Sequence, residues 1–142
     1  MTEYLDLEDL LAAAEAALGM SHSIGDLGIL EAAAARPRAT AFGDEIYPDL
    51  HTKAAALLHS LVTGTPLVDG NKRLGWVATR LFYRLNAADL RAPQDAAFDL
   101  VSQIADGTIR DVTEIAAALQ RWSRPLVRPR PESPMGVDAS RM

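Results

Sequence analysis

Leu7, Leu10, Leu11, Ala14, Ala17 and Leu18 recur at three- and four-residue intervals, with Asp6 before them and Gly19 after. That spacing lays an apolar stripe on a helix, with an aspartate able to cap its start and a glycine able to end it. A second helix is predicted behind Asp26, with Leu27, Leu30, Ala33 and Ala34 on one face and Pro37 as its stop. The segment RPRATAFGDEIYP is irregular, rich in Pro and Gly, and reads as a surface loop or small flap. A third helix starts near Asp49, carries Leu57, Leu58, Leu61 and Val62, and closes at Gly64. The short loop TPLVDG leads into a fourth, whose period is the clearest in the chain: Leu74, Val77, Ala78, Leu81, Phe82 and Leu85. Pro93 suits the first turn of a fifth helix bearing Phe98, Val101, Ile104 and Ala105. Asp111 and Glu114 resemble a capping box for a sixth, with Val112, Ile115, Ala116 and Leu119 behind it.

Six such stripes in 142 residues predict an all-α, single-domain bundle of about six helices over residues 1–122. The remainder, from Ser123, reads SRPLVRPRPESPMGVDASRM, with four prolines and no period, and is expected to be a disordered tail over 123–142. Composition agrees with the helical reading. Hydrophobic residues make up 49% of the chain and aromatics only 6%, which favours closely packed alanine-rich helices over a β-sandwich. The formal net charge of −5 argues against nucleic-acid binding, which needs clustered Lys and Arg. There are no cysteines, so disulfides and thiolate metal sites are excluded. The acidic start, MTEYLDLEDLL, does not fit a signal peptide, and no apolar run is long enough to span a membrane. A cytoplasmic protein is expected.

Chemistry concentrates at Asp69-Gly70-Asn71-Lys72-Arg73, where the third helix gives way to the fourth. A helix start offers unpaired backbone N–H groups and a positive dipole end. Lys72 and Arg73 put two cations there, where an ordinary helix gains from acids, so an anion such as phosphate is the natural complement. Asp69 beside them could hold Mg²⁺, which commonly rests on one or two carboxylates plus phosphate oxygens. The plain alternative is a solvated Lys-Arg pair after a common Asp-Gly-Asn turn, with Arg73 in a surface salt bridge.

The nine residues Thr65-Pro66-Leu67-Val68-Asp69-Gly70-Asn71-Lys72-Arg73 resemble the signature of the Fic and death-on-curing family. That signature runs His, any residue, Phe, any residue, Asp or Glu, Gly or Ala, Asn, Gly or Lys, Arg. The blocks DLGILEAAAARPRAT, FGDEIYP, KAAALLHSLVTG and LGWVATRLFYRLN resemble the death-on-curing branch, so the likeness covers roughly residues 4 to 122. It implies an all-helical domain that transfers part of a nucleotide to a protein hydroxyl. Members with glycine at the position of Lys72 typically transfer AMP. The branch with lysine there resembles a kinase and transfers the γ-phosphoryl group of ATP. Its target class is a translation factor, elongation factor Tu, and it is held in check by a cognate antitoxin protein. By the resemblance, Asp69 would hold Mg²⁺, while Asn71, Lys72 and Arg73 would hold phosphate oxygens with help from the N–H groups at Gly70 and Asn71.

The pattern breaks at Thr65, which stands where the family carries its general-base histidine, and at Leu67, which replaces the apolar phenylalanine. A threonine hydroxyl does not titrate near neutral pH, and loss of a general base typically costs about 10² to 10⁴ in rate. Thr65 therefore implies an impaired phosphotransferase, a catalytically dead nucleotide- or antitoxin-binding pseudoenzyme, or a different base. His59 is the nearby candidate, but six residues upstream and roughly 9 Å along the helix axis it reads first as a helix residue packed against the bundle. His22 and His51 read as loop and surface residues, and Trp76 and Trp122 as core or groove-lining. An AMP transferase of the wider family is the other enzymatic reading, opposed by Lys72.

Overall fold

The computed structural model describes residues 1–20 and 22–126. Six α-helices account for most of them: α1 Leu7–Leu18, α2 Leu27–Ala35, α3 Leu50–Gly64, α4 Asn71–Leu85, α5 Gln94–Ala105 and α6 Val112–Trp122. The fold is all-helical, as the stripes predict. Four helices begin on an aspartate whose carboxylate accepts a backbone N–H of the first turn: Asp6, Asp26, Asp49 and Asp111. Each such cap is worth about 1 kcal/mol and fixes where its helix starts. Asp111 caps differently from the capping box expected of it. Its carboxylate takes the N–H and hydroxyl of Thr113, and Glu114 does not reach back.

α3 is the centre of the bundle and packs on α4 and α6. Residues Ala54 to Leu58, with Leu61 and Val62, are all buried, so nearly every side of this helix meets protein. Around it close Leu10 and Ala14 of α1, Leu30 of α2, Leu74, Ala78 and Phe82 of α4, and Ile115 and Leu119 of α6.

Two small sheets complete the fold. Thr40–Ala41 (β1) pairs antiparallel with Asp44–Glu45 (β2), which makes the expected flap a short hairpin. Ala88–Leu90 (β3) pairs antiparallel with Ser123–Pro125 (β4). The boundary expected before Ser123 therefore falls too early: the main-chain groups of Ser123–Pro125 continue the domain as an edge strand. The rest of the predicted tail, 127–142, lies outside the described residues.

The face that α4 buries also differs from the predicted stripe. Leu81 and Leu85 are exposed, whereas Gly75, Thr79 and Tyr83 are buried beside Leu74, Ala78 and Phe82. The cause is the closeness of α3. A Cβ on Gly75 would lie 2.8 Å from Val62 Cγ2, so the contact requires a residue without one. Thr79 satisfies its hydroxyl on the Gly75 carbonyl at 2.7 Å, and the Tyr83 hydroxyl meets His51 Nδ1 at 2.8 Å. His51 is thus a first-turn residue of α3 joined to a buried tyrosine, rather than a free surface histidine. α5 splits its apolar residues in the same way: Leu100, Val101 and Ile104 enter the core, while Phe98 stays 67% exposed.

Candidate active site at the start of α4

α3 ends at Gly64, and the next residue, Thr65, takes the left-handed conformation at φ 49° and ψ 59°. For a β-branched residue that conformation is strained by roughly 1–2 kcal/mol. It turns the chain sharply, so that Pro66 to Gly70 cross the end of the bundle before α4 begins. Asn71 fixes this crossing. Its amide oxygen accepts the Leu67 N–H at 2.8 Å, and its amide nitrogen donates to the Leu67 carbonyl at 3.0 Å. The Leu67 side chain is buried, the apolar anchor expected of it.

From the other side the α1–α2 loop pairs with the same segment. Ile24 and Leu67 form an antiparallel bridge. The N–H groups of Gly25 and Asp26 both donate to the Pro66 carbonyl, at 2.8 and 2.9 Å, and Val68 N–H donates to the Ser23 carbonyl at 2.9 Å. Gly70 closes the turn at φ +88°, where a Cβ would lie 2.6 Å from Leu18 Cδ1.

α4 then starts without a side-chain cap and without an acid in its first turn. Its backbone bonding begins with Leu74 N–H on the Gly70 carbonyl. The N–H groups of Asn71, Lys72 and Arg73 are left facing outward at the positive end of the dipole. They open onto a cavity of ≈ 1090 Å³, at the upper end of what ligand pockets hold. Thr65, Asp69, Gly70, Asn71, Lys72 and Arg73, the residues singled out from the sequence, all line it.

Two of them do work other than that first expected. The Asn71 side chain bonds both main-chain groups of Leu67, so it braces the loop, while the second hydrogen of its amide nitrogen and its backbone N–H remain for an anion. The Gly70 N–H is likewise turned to the Asp69 carboxylate, at 2.8 Å. Lys72 and Arg73 are exposed, and neither forms an ion pair among the described residues.

The cavity also takes in residues that the sequence reading did not connect with it. Arg80 adds a third cation two turns along α4, while Asp69 is the single carboxylate on the wall. A protein of net charge −5 thus presents a positively charged hollow. Trp76, Phe98 and Val101 form an apolar flank between α4 and α5. Trp76 stacks edge-on against Trp122, with ring centroids 6.4 Å apart. Helical spacing from Arg73 to Arg80 was the available signal for Arg80. For Phe98, nothing in the sequence separates a core position from a cavity-facing one.

The histidines divide between the bundle and the cavity. His59, the nearby candidate, does not line the cavity. Its Nδ1 accepts from Arg36 Nη1 at 2.9 Å, inside a cluster where Arg36 also donates to Tyr47, Ser60 and the Ala56 carbonyl. Burial, and then the Arg36 charge, lower its pKa. His22, read from the sequence as an ordinary loop residue, is on the cavity wall.

Residues 4–83 match the sequence model of the Fic/DOC family. The chain belongs to the Fic/DOC family. It is also 47% identical over 121 residues to a protein named Toxin Doc from Mycolicibacterium smegmatis, an alignment covering 84% of this chain and 92% of that relative. The family match ends within α4, and the relative's match runs on to cover most of the domain. No helix among the described residues is long and apolar enough to cross a membrane.

No cluster of three or more potential metal-ligating side chains exists among the described residues. A metal held by protein alone is therefore unsupported. A hard cation resting on Asp69 and completed by phosphate oxygens fits the donor set.

Proposed function

We propose that this Fic/DOC protein is the toxin of a toxin–antitoxin pair, transferring the γ-phosphoryl group of ATP to a hydroxyl of a translation factor such as elongation factor Tu. One observation carries the reading: the uncapped start of α4, with Lys72 and Arg73 in its first turn, opens onto a cavity lined by three cations and one carboxylate. Such a site favours a polyanion, and phosphoryl transfer depends mainly on positioning and charge stabilisation. Lys72 and Arg73, with the outward N–H groups of α4, hold phosphate oxygens. Asp69 holds Mg²⁺, which when bound neutralises phosphate charge and orients the transferred group. The apolar flank of Trp76 and Phe98 suits the base of the nucleotide or a hydrophobic segment of an antitoxin. Lys72 favours γ-phosphoryl over AMP transfer, because its side chain and charge occupy the space that a glycine would leave for a phosphate.

Thr65 favours a second reading, a binding pseudoenzyme, since its hydroxyl is no base at neutral pH. A labelling experiment on the native chain and on Thr65→His separates these readings. Label passing from γ-labelled ATP to elongation factor Tu supports the kinase reading. Label arriving only from the α position supports AMP transfer instead. Mg²⁺-ATP binding by the native chain with no transfer from it supports the pseudoenzyme.

A further inference from the structure

Resting on the phosphotransfer reading above, we infer that His22 supplies the proton acceptor that Thr65 cannot. His22 lines the same cavity as Thr65, Asp69, Lys72 and Arg73, although more than forty residues of sequence separate it from them. Its position is fixed by main-chain bonding. The next residue, Ser23, takes the Val68 N–H on its carbonyl at 2.9 Å, and Gly25 and Asp26 bond to Pro66. These bonds tie the histidine loop to the segment between Thr65 and Asp69.

One nitrogen of the imidazole is engaged by the main chain. His22 Nδ1 lies 2.8 Å from the Gly19 carbonyl oxygen. A carbonyl only accepts, so Nδ1 carries the hydrogen, and in the neutral ring Nε2 is left with a free lone pair. Gly19 is the residue that ends α1, and its own N–H is held by the Glu15 carbonyl. His59 has the reverse arrangement: Arg36 donates to its Nδ1, so the hydrogen sits on Nε2, and the ring is outside the cavity. His51 is bonded to Tyr83. Of the three histidines, His22 alone combines a place on the wall with a ring nitrogen that has no hydrogen-bond partner among the described residues.

In the step so assigned, the O–H bond of the acceptor hydroxyl breaks and its proton passes to His22 Nε2. The hydroxyl oxygen bonds to the γ-phosphorus. The bond from that phosphorus to the β–γ bridging oxygen breaks, and ADP leaves with the electron pair.

The test compares the native full-length chain with His22→Ala, His22→Gln, Thr65→His, and Thr65→His combined with His22→Ala. Three readouts are used: γ-label transfer to elongation factor Tu, Mg²⁺-ATP affinity by calorimetry, and the ring tautomer by long-range ¹H–¹⁵N NMR. The native chain should transfer label, and both His22 variants should lose about 10²- to 10⁴-fold in rate. ATP affinity should hold within about twofold, which a merely structural role in the loop would not allow. Thr65→His should rescue His22→Ala, and the native His22 ring should carry its hydrogen on Nδ1. Equal rates in the native chain and His22→Ala overturn the assignment, as does a ring hydrogen on Nε2. Transfer by Thr65→His but not by the native chain overturns His22 and leaves the phosphotransfer reading standing. Absence of γ-label transfer from both overturns the two together.

Discussion

Thr65 joins two demands in one position. It ends α3 in a left-handed turn, and it lines the cavity at the start of α4. A β-branched residue fits that turn poorly, whereas glycine and asparagine adopt it readily. Thr65→Gly and Thr65→Asn should therefore raise stability by about 1 kcal/mol, read as a higher urea midpoint with an unchanged slope. An unchanged midpoint would mean that the turn is unstrained in solution. Arg73 belongs to the same scale. Its guanidinium is exposed on the cavity wall and makes no ion pair among the described residues, so little of the fold depends on it. A hydrogen bond to a charged partner contributes about 1.5–3 kcal/mol, so Arg73→Ala should weaken Mg²⁺-ATP binding roughly 10- to 100-fold in calorimetry. Thermal stability should be unchanged, and an unaltered affinity would remove the phosphate role.

At the scale of elements, the site depends on how closely α4 lies against α3. Gly75 permits that approach, with Val62 Cγ2 at 2.8 Å and Leu58 Cδ1 at 3.1 Å from where a Cβ would sit. Alanine there would gain about 1 kcal/mol of helix propensity. Overpacking against the stiff Val62 side chain would cost roughly 1–3 kcal/mol, so Gly75→Ala should destabilise on balance. In a Val62→Ala background the crowding is relieved, and the same change should become stabilising. Denaturation of the four chains measures the reversal, and a loss of the same size in both backgrounds would refute it. The Arg36 cluster links α3 to the segment after α2, and its histidine gives it a pH signature. Burial and Arg36 hold the His59 pKa below its ordinary 6.5. Above pH 6.5 both folded and unfolded chains are neutral at this residue. As pH falls below 6.5 the unfolded chain binds the proton first, so stability should decline until the folded group also protonates. His59→Gln should flatten that decline between about pH 6.5 and 5, followed by urea unfolding at a series of pH values.

Across the whole molecule, the charge distribution separates the site from its surroundings. The chain carries a net charge of −5, yet the hollow at the start of α4 has three cations and one carboxylate. Excess acid elsewhere keeps unspecific polyanions from binding broadly, and the concave basic wall concentrates attraction at one place.

The helices were legible in the sequence because their signals are local. Asp6, Asp26, Asp49 and Asp111 start helices through bonds to residues two or three positions on, and the stripe of α3 needs only its own period. The six motif residues were legible for the same reason, since Thr65 to Arg73 form one continuous turn. Tertiary structure decided what distant segments do to one another. Closeness to α3 buries Gly75, Thr79 and Tyr83 in place of Leu81 and Leu85, and pairing with Ala88–Leu90 makes a strand of Ser123–Pro125. Bonds to Leu67 make Asn71 a brace of the loop, and an Arg36 partner holds His59 on the bundle side. Main-chain pairing with Pro66 and Val68 brings His22 to the wall instead. No periodicity or short motif encodes such a contact, because its free energy comes from groups far apart in the chain that meet only after the bundle has closed.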